Sequence, residues 1–269
     1  MCYHTSMALL NWALRRQIIY IVILILFIGA LGFLIVTPTL NKAPTCFDTK
    51  QNGDEIGVDC GGSCALACLD KESPLSVLWA RSFEVVPGRY NAVAYVENHN
   101  KNVAIDKISY RFRFADANNL YIGKREGVAY VPPSGKFAIF EPAIDVGNST
   151  PVYTSFEFTQ TPTWIQVSQD KINQLTVAVS NLNLLNTDKS PTLSATVKNN
   201  SLFIIPNMSL IAILYDANHN AVSASSTSID ELDAGASSNI NFTWPEPFTS
   251  SIVTEEIIPL YNIFQVRLN

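Results

Sequence analysis

The sequence has little charge and no cluster of basic residues. Charged side chains make up 15% of the 269 positions, and the formal net charge is −5. A nucleic-acid partner requires clustered Lys and Arg side chains that neutralise phosphates, so we expect no nucleic-acid binding. Hydrophobic residues make up 48% of the chain, a fraction that excludes a disordered protein.

Residues that carry catalysis are scarce as well. The chain has three histidines, and His99 and His219 each lie between two asparagines, a context typical of exposed turns. No nucleophile elbow, zinc-binding H-E-x-x-H helix, phosphate loop or dinucleotide-binding glycine pattern occurs. Glu255 and Glu256 precede an apolar strand pattern, and we predict that their charges are solvated. We therefore predict that the protein is not an enzyme and has no catalytic or cofactor-binding residues.

One long hydrophobic run is present, and it contains no charged residue. Residues 18–36 read IIYIVILILFIGALGFLIV. As a helix, this run spans about 28 Å, close to the thickness of a bilayer's hydrocarbon layer. We predict a transmembrane helix over residues 17–37. A cleaved signal peptide is the alternative. Its apolar core would have only about 7–15 residues and an A-x-A cleavage site after it, whereas this run is longer and no clear A-x-A site follows.

The charges that flank this run predict the orientation. Arg15 and Arg16 precede the run, and only Lys42 follows it closely. The positive-inside rule then places residues 1–16 in the cytoplasm and the remainder outside. We expect a single-pass protein of the cell membrane with an extracytoplasmic C-terminal part.

Four of the five cysteines lie in a short segment after the hydrophobic run. Cys2 falls on the predicted cytoplasmic side and is predicted to be a free thiol. The segment, residues 38–70, contains Cys46, Cys60, Cys64 and Cys68. An even number of cysteines in an exported segment predicts two disulfide bonds, with three possible pairings. The segment has too few apolar residues for a core, so these cross-links must hold it together.

The same segment is rich in oxygen-bearing side chains that could ligate calcium. The candidate ligands are Asp48, Asn52, Asp54, Glu55 and Asp59. Their spacing is not that of an EF-hand, and the alternative is that they form turns and are solvated. A zinc site made of the four cysteines is a further alternative. The predicted export and the absence of paired C-x-x-C knuckles disfavour it.

Residues 45–68 resemble a small Cys-rich motif of exported bacterial proteins. The motif has the form C-x-D-x-x-x-N-x-D-E-x-G-x-D-C-G-G-x-C-x-x-x-C, and the chain reads TCFDTKQNGDEIGVDCGGSCALAC. The resemblance implies an extracytoplasmic module that lies beside a membrane or between domains. It implies no known activity.

Beyond a linker at residues 71–75, the pattern is that of β-strands. Residues 108–114 (ISYRFRF) alternate, with Ile108, Tyr110, Phe112 and Phe114 on one face and polar residues on the other. The opposite face carries Arg111 and Arg113, which together with Lys124 and Arg125 would form an ordinary solvated basic face.

A similar order of residues returns about 100 positions later. Residues 96–98 (VEN) match residues 197–199 (VKN), residues 114–118 (FADAN) match residues 214–218 (LYDAN), and Gly135 matches Gly235. No long amphipathic helix pattern interrupts either copy. We therefore predict an all-β ectodomain of two tandem immunoglobulin-like antiparallel sandwiches, over residues 75–168 and 171–269. Trp79, Trp164 and Trp244 are predicted to fill the cores.

The second copy also resembles the bacterial FxLYD domain. The resemblance rests on residues 212–216 (AILYD), the polar turn after them, and the strand pattern up to Gly235. Residues 112–116 (FRFAD) are the corresponding segment of the first copy. Ala212 replaces the leading Phe of the motif, and Ala115 replaces its Tyr. The resemblance implies an exported immunoglobulin-like fold rather than an activity.

These features predict a non-enzymatic, membrane-anchored surface protein. The two sandwiches would be a structural or interaction platform for a protein partner at the cell surface. A subunit of an envelope assembly, such as a secretion or pilus machine, is the alternative, and a calcium-responsive adhesin is a further one. No cofactor is expected apart from the possible calcium.

Overall fold

The computed structural model describes residues 12–40 and 45–268. Cys2 and most of the predicted cytoplasmic segment lie outside these residues. Helix α1 (Trp12–Leu40) has 29 residues and contains the whole hydrophobic run. Within the described part of the chain, α1 is the one helix that is long and apolar enough to cross a bilayer. Its length and composition fit a membrane anchor, although a signal sequence would share both properties.

The Cys-rich module follows the helix and has little regular structure. It begins at Thr45 and ends in a short 3₁₀ helix, Leu69–Lys71. Its backbone folds through turns, and a bridge pairs Gly57 with Cys60.

Fourteen strands and one short helix follow in the described residues 76–268. The strands of the first copy are β1 (Ser76–Val86), β2 (Arg89–Asn98), β3 (Val103–Ala115), β4 (Tyr121–Val131), β5 (Gly135–Asp145), β6 (Tyr153–Phe158) and β7 (Ile165–Gln166). Helix α2 (Gln169–Gln174) connects the copies. The strands of the second copy are β8 (Val177–Leu185), β9 (Thr192–Asn199), β10 (Phe203–Tyr215), β11 (Ala221–Leu232), β12 (Ser237–Thr243), β13 (Thr254–Leu260) and β14 (Arg267–Leu268).

Both copies have the same strand order in two antiparallel sheets. In the first copy the sheets are β1-β2-β5 and β4-β3-β6, and β7 pairs with β3 on the edge that β6 also occupies. In the second copy they are β8-β9-β12 and β11-β10-β13, and β14 pairs with β10. The predicted all-β class with one N-terminal helix and antiparallel sandwiches is therefore confirmed.

Each sandwich has its own apolar core. The alternating residues of β3 point inward as predicted, and Phe112 and Phe114 are fully buried between the two sheets. Trp164 lies in the same core. In the second copy Leu214 occupies the position of Phe114, and Trp244 closes the core. Burial of large side chains such as these contributes about 1.5–3 kcal/mol each to stability.

The β3–β4 turn and its counterpart between β10 and β11 are built alike. Asp116 accepts the backbone N–H groups of Asn118 and Leu120 through Oδ1, at 2.9 and 2.8 Å. Asp216 accepts those of Asn218 and Asn220 at the same distances. An aspartate that caps its own turn in this way explains why both copies keep Asp at this position.

Candidate functional site: the junction between the sandwiches and the cysteine module

The two sandwiches pack against each other through faces that point away from their own cores. Val93 and Tyr95 on β2 meet Ile211 and Ile213 on β10 in a shared apolar cluster. Val93 and Ile213 have no exposed surface. Both central strands are therefore buried on two sides, which makes the junction comparable to a core.

Sequence reasoning missed this junction, although a signal for it is present. Residues 92–96 (AVAYV) and 210–214 (LIAIL) are continuous apolar runs, which are typical of strands buried on both faces. The copies also differ at matching positions, because Ile211 and Ile213 correspond to Arg111 and Arg113. An apolar residue in one copy at a position where the other copy has a charged residue indicates that this face is covered in the copy with the apolar residue.

Polar contacts fix the two sandwiches in register. Arg81 donates from Nη1 to the carbonyl of Ala221 at 3.0 Å, and Asn91 donates from Nδ2 to that of Ala224 at 3.2 Å. Trp79 stacks on Tyr95 with ring centroids 5.4 Å apart. The prediction that Trp79 fills a sandwich core is wrong, because it lies on the outer face of β1 and packs at this junction.

A carboxylate joins two tyrosines across the junction. Glu256 on β13 accepts the hydroxyl of Tyr95 through Oε1 and that of Tyr215 through Oε2, both at 2.8 Å. Burial raises the pKa of both tyrosines, and the hydrogen bond and negative charge of Glu256 raise it further. The prediction that the charge of Glu256 is solvated is therefore wrong, because its carboxylate binds two hydroxyl groups between the sandwiches.

This arrangement predicts a loss of stability in alkali. The folded-state pKa of Tyr95 and Tyr215 lies above the unfolded value near 10, so their contribution is fully present below about pH 10 and is lost as the pH rises. Each tyrosine should lower the free energy of unfolding by up to about 1.4 kcal/mol per pH unit. Urea unfolding at several alkaline pH values should show a shallower slope for the double variant Tyr95→Phe/Tyr215→Phe. The exposed Tyr153→Phe is the control, and equal slopes in all three proteins would contradict the prediction.

In the Cys-rich module, two disulfides select one of the three open pairings. Cys46 is bonded to Cys64, and Cys60 to Cys68. A sulfur in a disulfide is not a thiolate, so this oxidised form excludes a Cys₄ zinc site. The bonds tie both ends of the module to its centre.

The module is also docked on the first sandwich. Gln166 on β7 donates from its backbone N–H to Ala65 at 2.7 Å and from Nε2 to the carbonyl of Cys64 at 2.8 Å. Ala67 donates its N–H to the carbonyl of Trp164 at 3.0 Å. Ser73 and Asn100 exchange two hydrogen bonds, each of 2.8 Å. The module and the linker therefore continue the fold of the first copy.

The four candidate carboxylates act within the module as hydrogen-bond acceptors, whereas Asn52 donates from its side-chain amide and its buried Oδ1 has no partner among the described residues. Asp59 accepts the backbone N–H groups of Asp48 and Thr49, at distances between 2.9 and 3.2 Å. Asp48 accepts the side-chain amide of Asn52 at 3.0 Å.

Two further carboxylates have similar partners. Glu55 accepts the N–H groups of Asn52 and Asp59, at 3.2 and 3.3 Å. Asp54 is separate from this network and binds the hydroxyl and N–H of Ser63, which lowers its pKa. These contacts favour the turn-forming interpretation, and calcium binding stays a prediction.

Reduction should unfold the module and leave the sandwiches folded. Each disulfide contributes about 2–4 kcal/mol, and the module has little apolar core of its own. With a phosphine reductant, we expect residues 46–68 to lose protection from hydrogen exchange, while β2 and β10 keep theirs. Cys46→Ser/Cys64→Ser should show the same loss without reductant. Unchanged protection of the module would contradict this expectation.

The basic face of the first sandwich is balanced by acids. Arg111 donates from Nε to Glu126 at 2.6 Å and from Nη1 to Glu157 at 3.3 Å. Arg113 pairs with Glu157 at 3.1 Å, and Lys124 pairs with Glu126 at 3.0 Å. Arg111, Arg113 and Lys124 therefore belong to a solvated network of ion pairs, as the sequence indicated. Arg125 does not join this network, because it lies opposite the core residue Phe112 and pairs with Glu141 at 3.2 Å.

Both histidines of the described chain lie in exposed positions. His99 follows β2, and its ring nitrogen Nε2 is 3.1 Å from the hydroxyl of Ser76. His219 lies in the β10–β11 turn with a positive φ of 58°. Both placements agree with the prediction of exposed turn residues.

Comparison with known proteins does not assign a family. No family model and no curated protein matches the chain. Among solved structures, red sea bream transglutaminase aligns at 10% identity and a TM-score of 0.24, over 72% of this chain and 30% of that one. Exo-chitosanase CsxA of Amycolatopsis orientalis aligns at 12% identity and a TM-score of 0.20, over 70% of this chain and 26% of that one. The chain thus spans less than a third of the length of either protein, and neither likeness carries an argument about function.

Proposed function

We propose that the protein is a single-pass, membrane-anchored extracytoplasmic protein whose two sandwiches form a non-enzymatic platform for a protein partner at the cell surface. The observation that carries the proposal is the pair of disulfides directly after an apolar helix. Disulfides persist in oxidising compartments and are rare in the cytosol. Arg15 and Arg16 at the start of the helix support the same orientation.

The platform role is supported by the continuity of the folded part. The module is hydrogen-bonded to β7, the linker is held by Asn100, and the two sandwiches share a buried cluster. The connection between the sandwiches is ordered too, because Val167 and Leu175 are buried in the core of the second copy. A stiff array of this kind holds the outer faces of the module and the two sandwiches at fixed positions relative to one another, which suits presentation to a partner. We also propose that both copies are related to the FxLYD domain, because the turns at Asp116 and Asp216 have the same hydrogen bonds.

Topology is the decisive test. Alkaline phosphatase fused after Asn269 should be active in intact cells, because it requires export to form its own disulfides. Green fluorescent protein fused at the same place should be dark, because it would be exported in unfolded form. A matched pair of fusions at Arg16, before the membrane segment, is the control and should show the opposite result. A bright fluorescent fusion with an inactive phosphatase at Asn269 would contradict the proposal.

The non-enzymatic part has its own test. The full-length protein in detergent should turn over no substrate in a broad hydrolase panel. Turnover that survives repurification would contradict it.

A further inference from the structure

One half of the Cys-rich module, residues 46–59, exposes every large apolar side chain that it contains. Phe47, Ile56 and Val58 are 83%, 58% and 56% exposed, and we refer to them as the apolar patch. None of the three belongs to an apolar cluster in the described part of the chain. Single exposed hydrophobic residues are common on protein surfaces, but three in so short a segment indicate contact with something outside the folded chain.

The backbone that carries the apolar patch is held in place. A disulfide fixes the chain directly before Phe47. Asp59 accepts the N–H of Asp48 at 2.9 Å, which ties the chain at Phe47 to the chain at Val58. Ile56 donates its N–H to a backbone carbonyl of the module at 3.1 Å. The exposure of these side chains is therefore a property of the fold.

The other half of the module is occupied by the first sandwich. Its hydrogen bonds to that sandwich come from residues 62–67, among them the carbonyl of Cys64, which accepts Nε2 of Gln166 at 2.8 Å. The apolar patch thus belongs to the half that the sandwiches leave uncovered.

The predicted membrane anchor is only a few residues away. Helix α1 ends at Leu40, and residues 41–44 separate it from Thr45. A chain advances at most about 3.5 Å per residue, so Thr45 lies within about 17 Å of the end of the helix and Phe47 within about 25 Å. The helix also continues for about 6 Å past the apolar run that ends at Val36, which brings its end into the headgroup region. The module is therefore confined to the surface of the bilayer.

Charge does not draw the module to this surface. Residues 45–71 contain five acidic and two basic residues, and anionic lipids would repel them. The attraction must come from apolar area, and Phe and aliphatic side chains insert into the boundary between headgroups and acyl chains. The short connection to α1 favours such a contact, because it keeps the apolar patch at a high effective concentration beside the lipid.

We propose that residues 46–59 rest on the bilayer that α1 crosses, with Phe47, Ile56 and Val58 inserted into its headgroup region. The surface that covers the apolar patch is thus the lipid around the protein's own anchor. This inference rests on the proposed membrane anchoring and adds a second contact with the same membrane. Because the module is hydrogen-bonded to β7, the contact would orient the first sandwich relative to the bilayer.

Quenching of tryptophan fluorescence by brominated lipid tests this contact in the full-length protein. The protein is placed in phosphatidylcholine nanodiscs with or without bromine on the acyl carbons nearest the headgroup, and Phe47→Trp adds a fluorophore to the apolar patch. A ring at a depth of about 5–10 Å lies close to these bromines, so brominated lipid should remove about half of the fluorescence that Phe47→Trp adds to the wild type. The quenching should persist in about 1 M salt, which screens charges but not apolar contacts.

A charge placed in the apolar patch should reduce the quenching. Val58→Asp in the Phe47→Trp protein should lower it by about twofold or more, because a carboxylate is costly to transfer out of water. The matched control is Val253→Asp, at a valine of the second sandwich that is 59% exposed, and it should leave the quenching unchanged. Loss of quenching in high salt, or equal quenching with Val58→Asp, would overturn the proposal.

Two further tryptophan variants show which part of the argument fails. Leu202→Trp, at a second-sandwich residue that is 76% exposed, should not be quenched, and equal quenching there would overturn the assignment to the module. Tyr20→Trp lies in α1 and should be quenched. If it is, an unquenched Phe47→Trp removes the module contact and leaves the anchor in place, even if its emission is shifted to the blue by a protein that covers it. An unquenched Tyr20→Trp would remove the anchor itself, and the proposal with it.

Discussion

Replacing Asn199 with alanine should lower the free energy of unfolding of the second sandwich by about 3–5 kcal/mol. Asn199 has no exposed surface, and its amide nitrogen lies 2.7 to 3.1 Å from the carbonyls of Phe203, Leu232 and Asp233. Its Oδ1 accepts the N–H and the hydroxyl of Ser201, at 3.0 and 2.6 Å. Alanine would leave these groups buried without partners, at about 1–3 kcal/mol for each group that water cannot reach.

Urea unfolding followed by circular dichroism measures this effect. Asn98→Ala should destabilise the first sandwich in the same way, because Asn98 donates to Val103 and Pro132 and accepts the N–H of Asn100. The control is Asn241→Ala, an exposed asparagine on β12, which should change stability by less than about 0.5 kcal/mol. A loss below about 1 kcal/mol for Asn199→Ala would show that the network does not stabilise the fold as described.

Placing a charge at Val93 should separate the two sandwiches. Val93 is fully buried against the second copy, so Val93→Asp puts an unpaired carboxylate into the junction at a cost of about 4 kcal/mol or more. The side chain points away from the core of its own sandwich, so the first copy should remain folded. Ser194 occupies the matching position on β9, where the outer face is polar and accessible. Ser194→Asp is therefore the control and should have little effect.

Limited proteolysis can distinguish the two outcomes. With Val93→Asp, a protease should cut between β6 and β8 and release two stable fragments, while the circular dichroism spectrum keeps its β-sheet signal. The wild type and Ser194→Asp should resist cleavage at the same protease concentration. Equal resistance of Val93→Asp would contradict the junction.

Much of the fold could be predicted because it depends on local patterns. The period of two along β3 places Phe112 and Phe114 inside, and a strand with one solvated face permits little else. The repeated Asp116 and Asp216 turns follow from the ability of aspartate to cap its own backbone. The apolar helix follows from length and composition alone.

The remaining features depend on contacts between distant segments. Four cysteines within 23 residues can close loops in more than one pairing. Spacing therefore does not decide whether Cys46 pairs with Cys60, Cys64 or Cys68. The position of Glu256 beside two tyrosines depends on how the sandwiches meet. A strand pattern shows that an outer face is apolar, but it does not show which surface covers that face. For the same reason Trp79 was predicted to lie in a core rather than between domains.

The sandwiches dock through non-equivalent faces: the β1-β2-β5 sheet of the first copy covers the β11-β10-β13 sheet of the second. A head-to-tail contact of this kind does not close within a pair, and identical units joined by it would continue into a ring or an open filament. The two faces that would continue the growth have different chemistry. One carries the ion pairs of Arg111 and Arg113, and the other carries Thr196 and Asn239, which are hydrogen-bonded to each other at 3.1 Å. Neither outward face therefore offers the apolar surface through which the two copies meet.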